Sequence, residues 1–274
     1  MTGAATASRR RHLDNFVVSC GPVSGDGGLR RLDVLLVERG LAPSRERAQA
    51  LVAAGLVIVD GVRARSVAQR VGAEGTVSVS GRDHPWASRG GLKLSAALDE
   101  FDVVVAGRVA LDAGASTGGF TDVLLSRGAA LIYAVDVGRG QLDNRIATDP
   151  RVTVLDRTNL RTLTRLPGPA PSLVTLDLSF ISLRLVLGPV AALAVPGAEV
   201  VALFKPQFEL GREAVGRGGI VRDPSAAEAG ARELLAWAEA ATGAAGTGPV
   251  SAAVRGARGN QEWFVHLRLP GEPP

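Results

Sequence analysis

From residue 92 onward, short apolar runs alternate with helix-length segments, and several of the runs end on an aspartate. Runs at 109–112, 131–136, 152–155, 173–177, 199–204 and 263–269 read as strands. Segments at 93–101, 121–127 and 226–241 read as helices between them. Regular alternation of this kind predicts an α/β fold with a mostly parallel sheet covered on both faces. In such folds ligands bind outside the carboxyl ends of the strands, at the point where strand order reverses. The core must be aliphatic, because aromatic residues make up 4% of the chain against 46% hydrophobic residues overall.

The first strand delivers Asp112-Ala113-Gly114-Ala115-Ser116-Thr117-Gly118-Gly119-Phe120. Glycines there let a backbone turn tightly into a helix and approach a ligand closely. The spacing is not the dinucleotide G-x-G-x-x-G, and no Gly-Lys-Ser/Thr follows as in a P-loop. An acid ahead of the first glycine suits a ligand carrying an amine and a sulfonium, so Asp112, Gly114, Ala115, Ser116, Gly118, Gly119 and Phe120 form a candidate cofactor loop. Asp136 ends the second strand, where a carboxylate commonly holds ribose hydroxyls. Asp156 follows the third, where it could read an adenine amine. These features together point to S-adenosylmethionine; the alternative is that the aspartates merely cap helices.

Only two of the 31 basic residues are lysine, Lys93 and Lys205; the rest are arginine. A guanidinium serves most surface contacts, but only an amine can give up a proton at workable pH. Lys205 lies at a strand end, as does Asp177; Glu262 opens the last strand, and Lys93 opens a helix. Two amines and two carboxylates around one cleft suit the handling of a weakly acidic nucleophile such as a ribose 2′-hydroxyl. Asp177 and Glu262 are expected to hold Lys205 and tune it as a base.

Charge divides the chain. Residues 1–99 carry 14 basic and 9 acidic residues, and residues 100–274 carry 17 and 18. A basic N-terminal part predicts a module that grips a polyanion. Residues 1–28 show no apolar period and read as a disordered tail. Residues 29–81 read as a small α+β unit: two short helices, the second capped by Ser44, then a strand, an Asp60-Gly61 hairpin turn and further short strands. Arg30, Arg31, Arg45, Arg47, Arg63 and Arg65, with Arg70, are its candidate RNA-binding residues. Residues 82–91 read as a linker in which Trp86 either packs or stacks on a base, and 92–274 as the catalytic domain.

One cysteine and three scattered histidines give neither a disulfide nor a metal-ligand pattern, so a cytosolic, metal-free protein is expected. The apolar stretch 185–204 is interrupted by Gly188-Pro189 and Pro196-Gly197, which breaks it into a helix and a buried strand rather than a membrane span.

Six motifs together resemble the TlyA family of S-adenosylmethionine-dependent rRNA 2′-O-methyltransferases, often named haemolysins. They are Arg31-Leu32-Asp33-Val34-Leu35-Leu36, Ser88-Arg89-Gly90-Gly91-Leu92-Lys93, the glycine loop, Asp177-Leu178-Ser179-Phe180, Lys205-Pro206-Gln207-Phe208-Glu209 and Gly259-Asn260-Gln261-Glu262. The resemblance spans about residues 30 to 269. It implies a Rossmann-like, FtsJ-type methyltransferase domain preceded by an RNA-binding domain of the kind found in ribosomal proteins. It also implies a Lys93, Asp177, Lys205, Glu262 tetrad, and cytidines of 16S and 23S rRNA, in free rRNA or ribosomal subunits, as substrate. Two other classes, a membrane-active haemolysin and a non-catalytic ribosome-assembly factor, stay open at this level. The sequence does not give the oligomeric state.

Overall fold

The computed structural model describes residues 17–20, 28–42, 44–53, 55–72, 74–80, 84–211 and 213–271. The chain forms two compact units, one ending at Pro85 and the other beginning at Trp86.

In the first unit β1 (Val17–Cys20) precedes β2 (Arg30–Arg31), α1 (Leu32–Glu38), α2 (Arg45–Ala53), β3 (Val57–Val59), β4 (Val62–Arg63), β5 (Arg70–Val71) and β6 (Val77–Ser80). A four-stranded sheet runs β1-β6-β3-β4, and β2 pairs with β5. Ser44 caps α2 by accepting the Arg47 N–H at 3.2 Å. Asp60 and Gly61, at φ 50° and 79°, make the tight β3–β4 turn, since primed hairpin turns need positive φ at both central positions. Leu32, Leu36, Ala48 and Val52 pack with Val57 and Val77 into the unit's own core. Within the segment read as a tail, Val17–Cys20 is a strand antiparallel to Val77–Ser80. The rest of that segment lies outside the described residues, except Gly28.

The second unit is built on seven strands in the order β12-β13-β11-β10-β7-β8-β9. These are β7 (Val109–Ala113), β8 (Leu131–Val135), β9 (Val152–Leu155), β10 (Leu173–Leu176), β11 (Glu199–Phe204), β12 (Ala245–Ser251) and β13 (Trp263–Arg268). The strands β9-β8-β7-β10-β11 are all parallel. The sixth neighbour, β13, runs antiparallel to both β11 and β12. Between the strands lie α4 (Gly119–Ser126), α5 (Asn144–Ala147), α6 (Leu187–Leu193), α7 (Pro206–Glu209) and α8 (Pro224–Thr242), while α3 (Gly90–Glu100) precedes β7. Two apolar clusters pack the sheet. One gathers α6 and α8 side chains such as Val190 and Leu234, and the other gathers α3 and α4 side chains such as Leu94 and Leu124.

The chain moves outward from β7 to β9 and then returns to the other side of β7 with β10, which places the switch point between β7 and β10. The 185–204 stretch is α6 and β11, separated by Pro196 and by Gly197 at φ 74°. No helix among the described residues is long and apolar enough to cross a membrane. The segment read as a linker supplies the first two residues of α3, Gly90 and Gly91. Trp86 packs in this unit: a Cβ on Gly91 would meet Trp86 Cγ at 2.3 Å.

Candidate active site

Three of the four predicted tetrad residues stand where strands end or begin. Asp177 follows β10, Lys205 follows β11 and Glu262 precedes β13. The antiparallel direction of β13 is what brings Glu262 to this edge, because Trp263 pairs with Phe204, next to Lys205. Lys93 comes from the first turn of α3. All four line one cleft of about 400 Å³, together with Gly114, Ala115, Ser116, Thr117, Gly119 and Phe120.

The tetrad forms two ion pairs. Lys205 Nζ lies 2.5 Å from Asp177 Oδ1 and donates to Ser179 Oγ at 3.1 Å. Lys93 Nζ donates to Glu262 Oε2 at 2.5 Å, with both side chains buried. The expectation that Glu262 holds Lys205 is therefore corrected: Glu262 neutralises Lys93, and Ser179 takes its place at Lys205. A buried lysine needs such a partner, since an unpaired charge there is strongly destabilising.

The glycine loop is shaped by close approach. Gly114, at φ 86°, lets the loop touch the Asp177 segment, for a Cβ there would lie 2.4 Å from Asp177 O. Gly118, at φ 94°, packs against Ile146 and Leu142 and does not line the cleft. Asp136 accepts Ser116 N at 2.8 Å and Gly138 N at 2.7 Å. Asp156 accepts Gly140 N at 2.7 Å. Neither carboxylate belongs to the cleft wall; each fixes a strand-end loop.

Asp112 departs furthest from its expected contact role. It is fully buried beneath the loop and accepts Thr121 Oγ1 at 2.6 Å and Thr175 Oγ1 at 3.1 Å. Burial pushes its carboxyl up to about 7, against the two threonine hydroxyls that hold it down, and Asp177 adds to the rise. A side chain sealed from solvent supports the loop rather than a ligand.

Ser88, Arg89, Ser179, Phe180, Gln207, Phe208 and Arg258, assigned no site role from the sequence, also line the cleft. Phe180 is 82% exposed, at φ 64°, with its ring 5.0 Å from that of Phe208. An aromatic held outward in a polar loop, in a chain this poor in aromatics, is the signal that was available. The loop bearing it is clamped by Glu209, which accepts Ser182 Oγ and Leu183 N, both at 2.7 Å.

In the first unit Arg31 and Arg45 converge on Asp33, whereas Arg30 pairs with Glu38 at 2.6 Å. Arg70 donates to Leu29 O at 3.2 Å. Arg63 and Arg65 are exposed, and Arg47 is partly buried.

An FtsJ-like methyltransferase model matches residues 86–269, and an S4 domain model matches residues 30–77. The 16S/23S rRNA (cytidine-2′-O)-methyltransferase TlyA of Mycobacterium tuberculosis is 48% identical over 242 residues, covering 87% of this chain and 89% of that protein. The chain belongs to the TlyA family of FtsJ-like methyltransferases. Its relatives carry two kinds of name. Hemolysin A of Brachyspira hyodysenteriae is 35% identical over 243 residues, covering 86% of this chain and 99% of that one. A solved structure of a haemolysin-named protein from Streptococcus thermophilus superimposes with a TM-score of 0.72 at 39% identity, covering 90% and 91% of the two chains. Membership of this methyltransferase family makes S-adenosylmethionine the cofactor. The cleft fits it: loop backbone from Gly114 to Thr117, the apolar face of Phe120 and a volume of about 400 Å³ make a cradle of the size small-molecule sites have.

Proposed function

We propose that this protein methylates the 2′-hydroxyl of a cytidine in rRNA, with the S4 domain supplying affinity and the FtsJ-like domain the chemistry. The observation that carries this reading is the Lys205–Asp177 pair opening onto the same cleft as the glycine loop. When bound in that cradle, S-adenosylmethionine supplies a methyl carbon on a positively charged sulfur. Lys205 Nζ orients the ribose hydroxyl and, once it has lost its own proton to solvent, takes the hydroxyl proton as the neutral amine; Asp177, 2.5 Å away, stabilises the ammonium that re-forms. Ser179 Oγ, a second acceptor at 3.1 Å, helps to fix the direction of Nζ. The Lys93–Glu262 pair lines the same wall and positions the ribose. Phe180 offers a flat apolar face on which the target base stacks once it leaves its helix. Much of the rate then comes from orientation.

A protein of this reading acts in the cytoplasm, where ribosomes are assembled. The test is transfer of labelled methyl from S-adenosylmethionine to isolated 16S and 23S rRNA, free and in subunits. The wild-type protein should label at least one of these substrates. Lys205→Met should bind the cofactor normally and label none. Equal labelling by both proteins would refute the role given to Lys205.

A further inference from the structure

A buried carboxylate lies beneath two exposed arginines in the first unit. Asp33 opens α1 among the core leucines, and its relative exposure is 0%. Arg31 Nε donates to Oδ1 at 3.1 Å and Nη2 to Oδ2 at 3.2 Å, while Arg45 Nη2 donates to Oδ2 at 2.8 Å. Oδ1 also accepts the Val34 N–H at 3.1 Å. These partners, Arg31 foremost, hold the carboxyl well below the usual range. The two arginine side chains nonetheless remain 43% and 58% exposed.

Surface ion pairs generally hold their side chains only loosely. Arg30–Glu38, with both partners exposed, is of that kind. Asp33 differs because the acid is sealed from solvent beneath its two arginines while they stay half-exposed. It also joins two elements, since Arg31 precedes α1 and Arg45 opens α2. Without it, two like-charged, rotamer-rich side chains would repel each other. With it, the trio keeps one net positive charge, and Arg31 Nη1 and Arg45 Nε and Nη1 are left uncommitted to the carboxylate.

We propose that Asp33 is a positioning residue for RNA binding: it presets Arg31 and Arg45 as a rigid pair of forks that grips one phosphodiester of the rRNA backbone. This rests on the reading that the S4 domain binds rRNA. The consequence runs against simple charge counting. Removing an acid from an RNA-binding face should tighten binding and steepen its salt dependence. Here it should weaken binding, because guanidinium forks recognise phosphate through geometry as well as charge.

The experiment is filter binding of the full-length protein to radiolabelled 16S and 23S rRNA transcripts across a salt series, with thermal melts alongside. Asp33→Asn should lose about tenfold in affinity, the size of one charged hydrogen-bonded contact. Arg31→Lys/Arg45→Lys, which keeps both charges and the buried acid, should lose a similar amount. Arg31→Gln/Arg45→Gln should weaken binding and lower the salt slope by about one, and adding Asp33→Asn to it should not weaken binding further, since no arginines remain to be positioned. If Asp33→Asn or the lysine pair binds as tightly as wild type while the glutamine pair is weakened, positioning is overturned. If the glutamine pair itself binds normally, the assignment of this face to RNA fails instead. Should Asp33→Asn prove unstable in the melts, the lysine pair decides the matter alone.

Discussion

Gly114 is where the glycine loop and the Asp177 segment touch, so Gly114→Ala tests whether the two are mechanically coupled. An alanine there would keep φ near 86° and place its Cβ 2.4 Å from Asp177 O and 3.1 Å from Leu178 Cδ2. Carbon–oxygen contacts settle at about 3.3 Å or more, so roughly 0.9 Å must be found. The left-handed backbone adds about 1–2 kcal/mol for a residue with a Cβ. The carbonyl cannot move alone, because the Asp177 side chain sits 2.5 Å from Lys205 Nζ and its N–H is bonded to Ala113 O at 3.0 Å. A misplacement of about 1 Å at a reacting group costs about 10²-fold in rate. Gly114→Ala should therefore fold, melt a few degrees lower, and show a single-turnover rate on rRNA reduced about 10²-fold at saturating S-adenosylmethionine. Calorimetry gives the cofactor affinity separately. A variant that loses only cofactor affinity, with an unchanged rate at saturation, would show that the Asp177 segment does not feel the loop.

Lys205→Arg keeps the charge but neither accepts a proton nor places a compact amine, so single-turnover methylation should fall about 10²–10⁴-fold with cofactor affinity intact; near-wild-type turnover would remove the base role. Asp112→Asn should change how stability depends on pH: the wild-type carboxyl, at about 7 when folded against about 3.9 unfolded, favours folding fully below about pH 4, and that contribution is lost as pH rises through about 7. Urea melts should show the variant gaining on wild type by up to about 1.4 kcal/mol per pH unit across that window, and a constant difference would mean that Asp112 is not the buried acid described. Removing residues 1–27 strips β1 from β6 and uncovers a sheet edge, so the S4 domain should unfold a few degrees lower while cofactor affinity is unchanged.

The central parallel strands were legible because β8, β10 and β11 are short, largely aliphatic runs followed by a charged residue, and their burial leaves no other use for such runs. The strand β12 was not. Its residues Ala245-Gly246-Thr247-Gly248-Pro249-Val250-Ser251 carry two glycines and a proline, and it lies at the sheet's edge, where a proline is tolerated. The strand β1 was hidden for a related reason: four residues of an otherwise polar segment give no period, and their pairing depends on β6, far along the chain. In the site, residue identity found the tetrad but not its pairing. Which acid serves which lysine depends on the antiparallel insertion of β13, which no local pattern announces. Asp112 misled because an acid before a glycine loop looks the same whether it faces a ligand or two buried threonines.

The most direct measurement identifies the methylated nucleoside. Unmodified ribosomal subunits are incubated with the purified protein and isotope-labelled S-adenosylmethionine, the rRNA is digested to nucleosides, and the label is located by mass spectrometry. The label should appear in 2′-O-methylcytidine with the wild-type protein and vanish with Lys205→Met. Label on a base, on another nucleoside, or nowhere with active cofactor-bound protein would contradict ribose methylation of cytidine by this cleft.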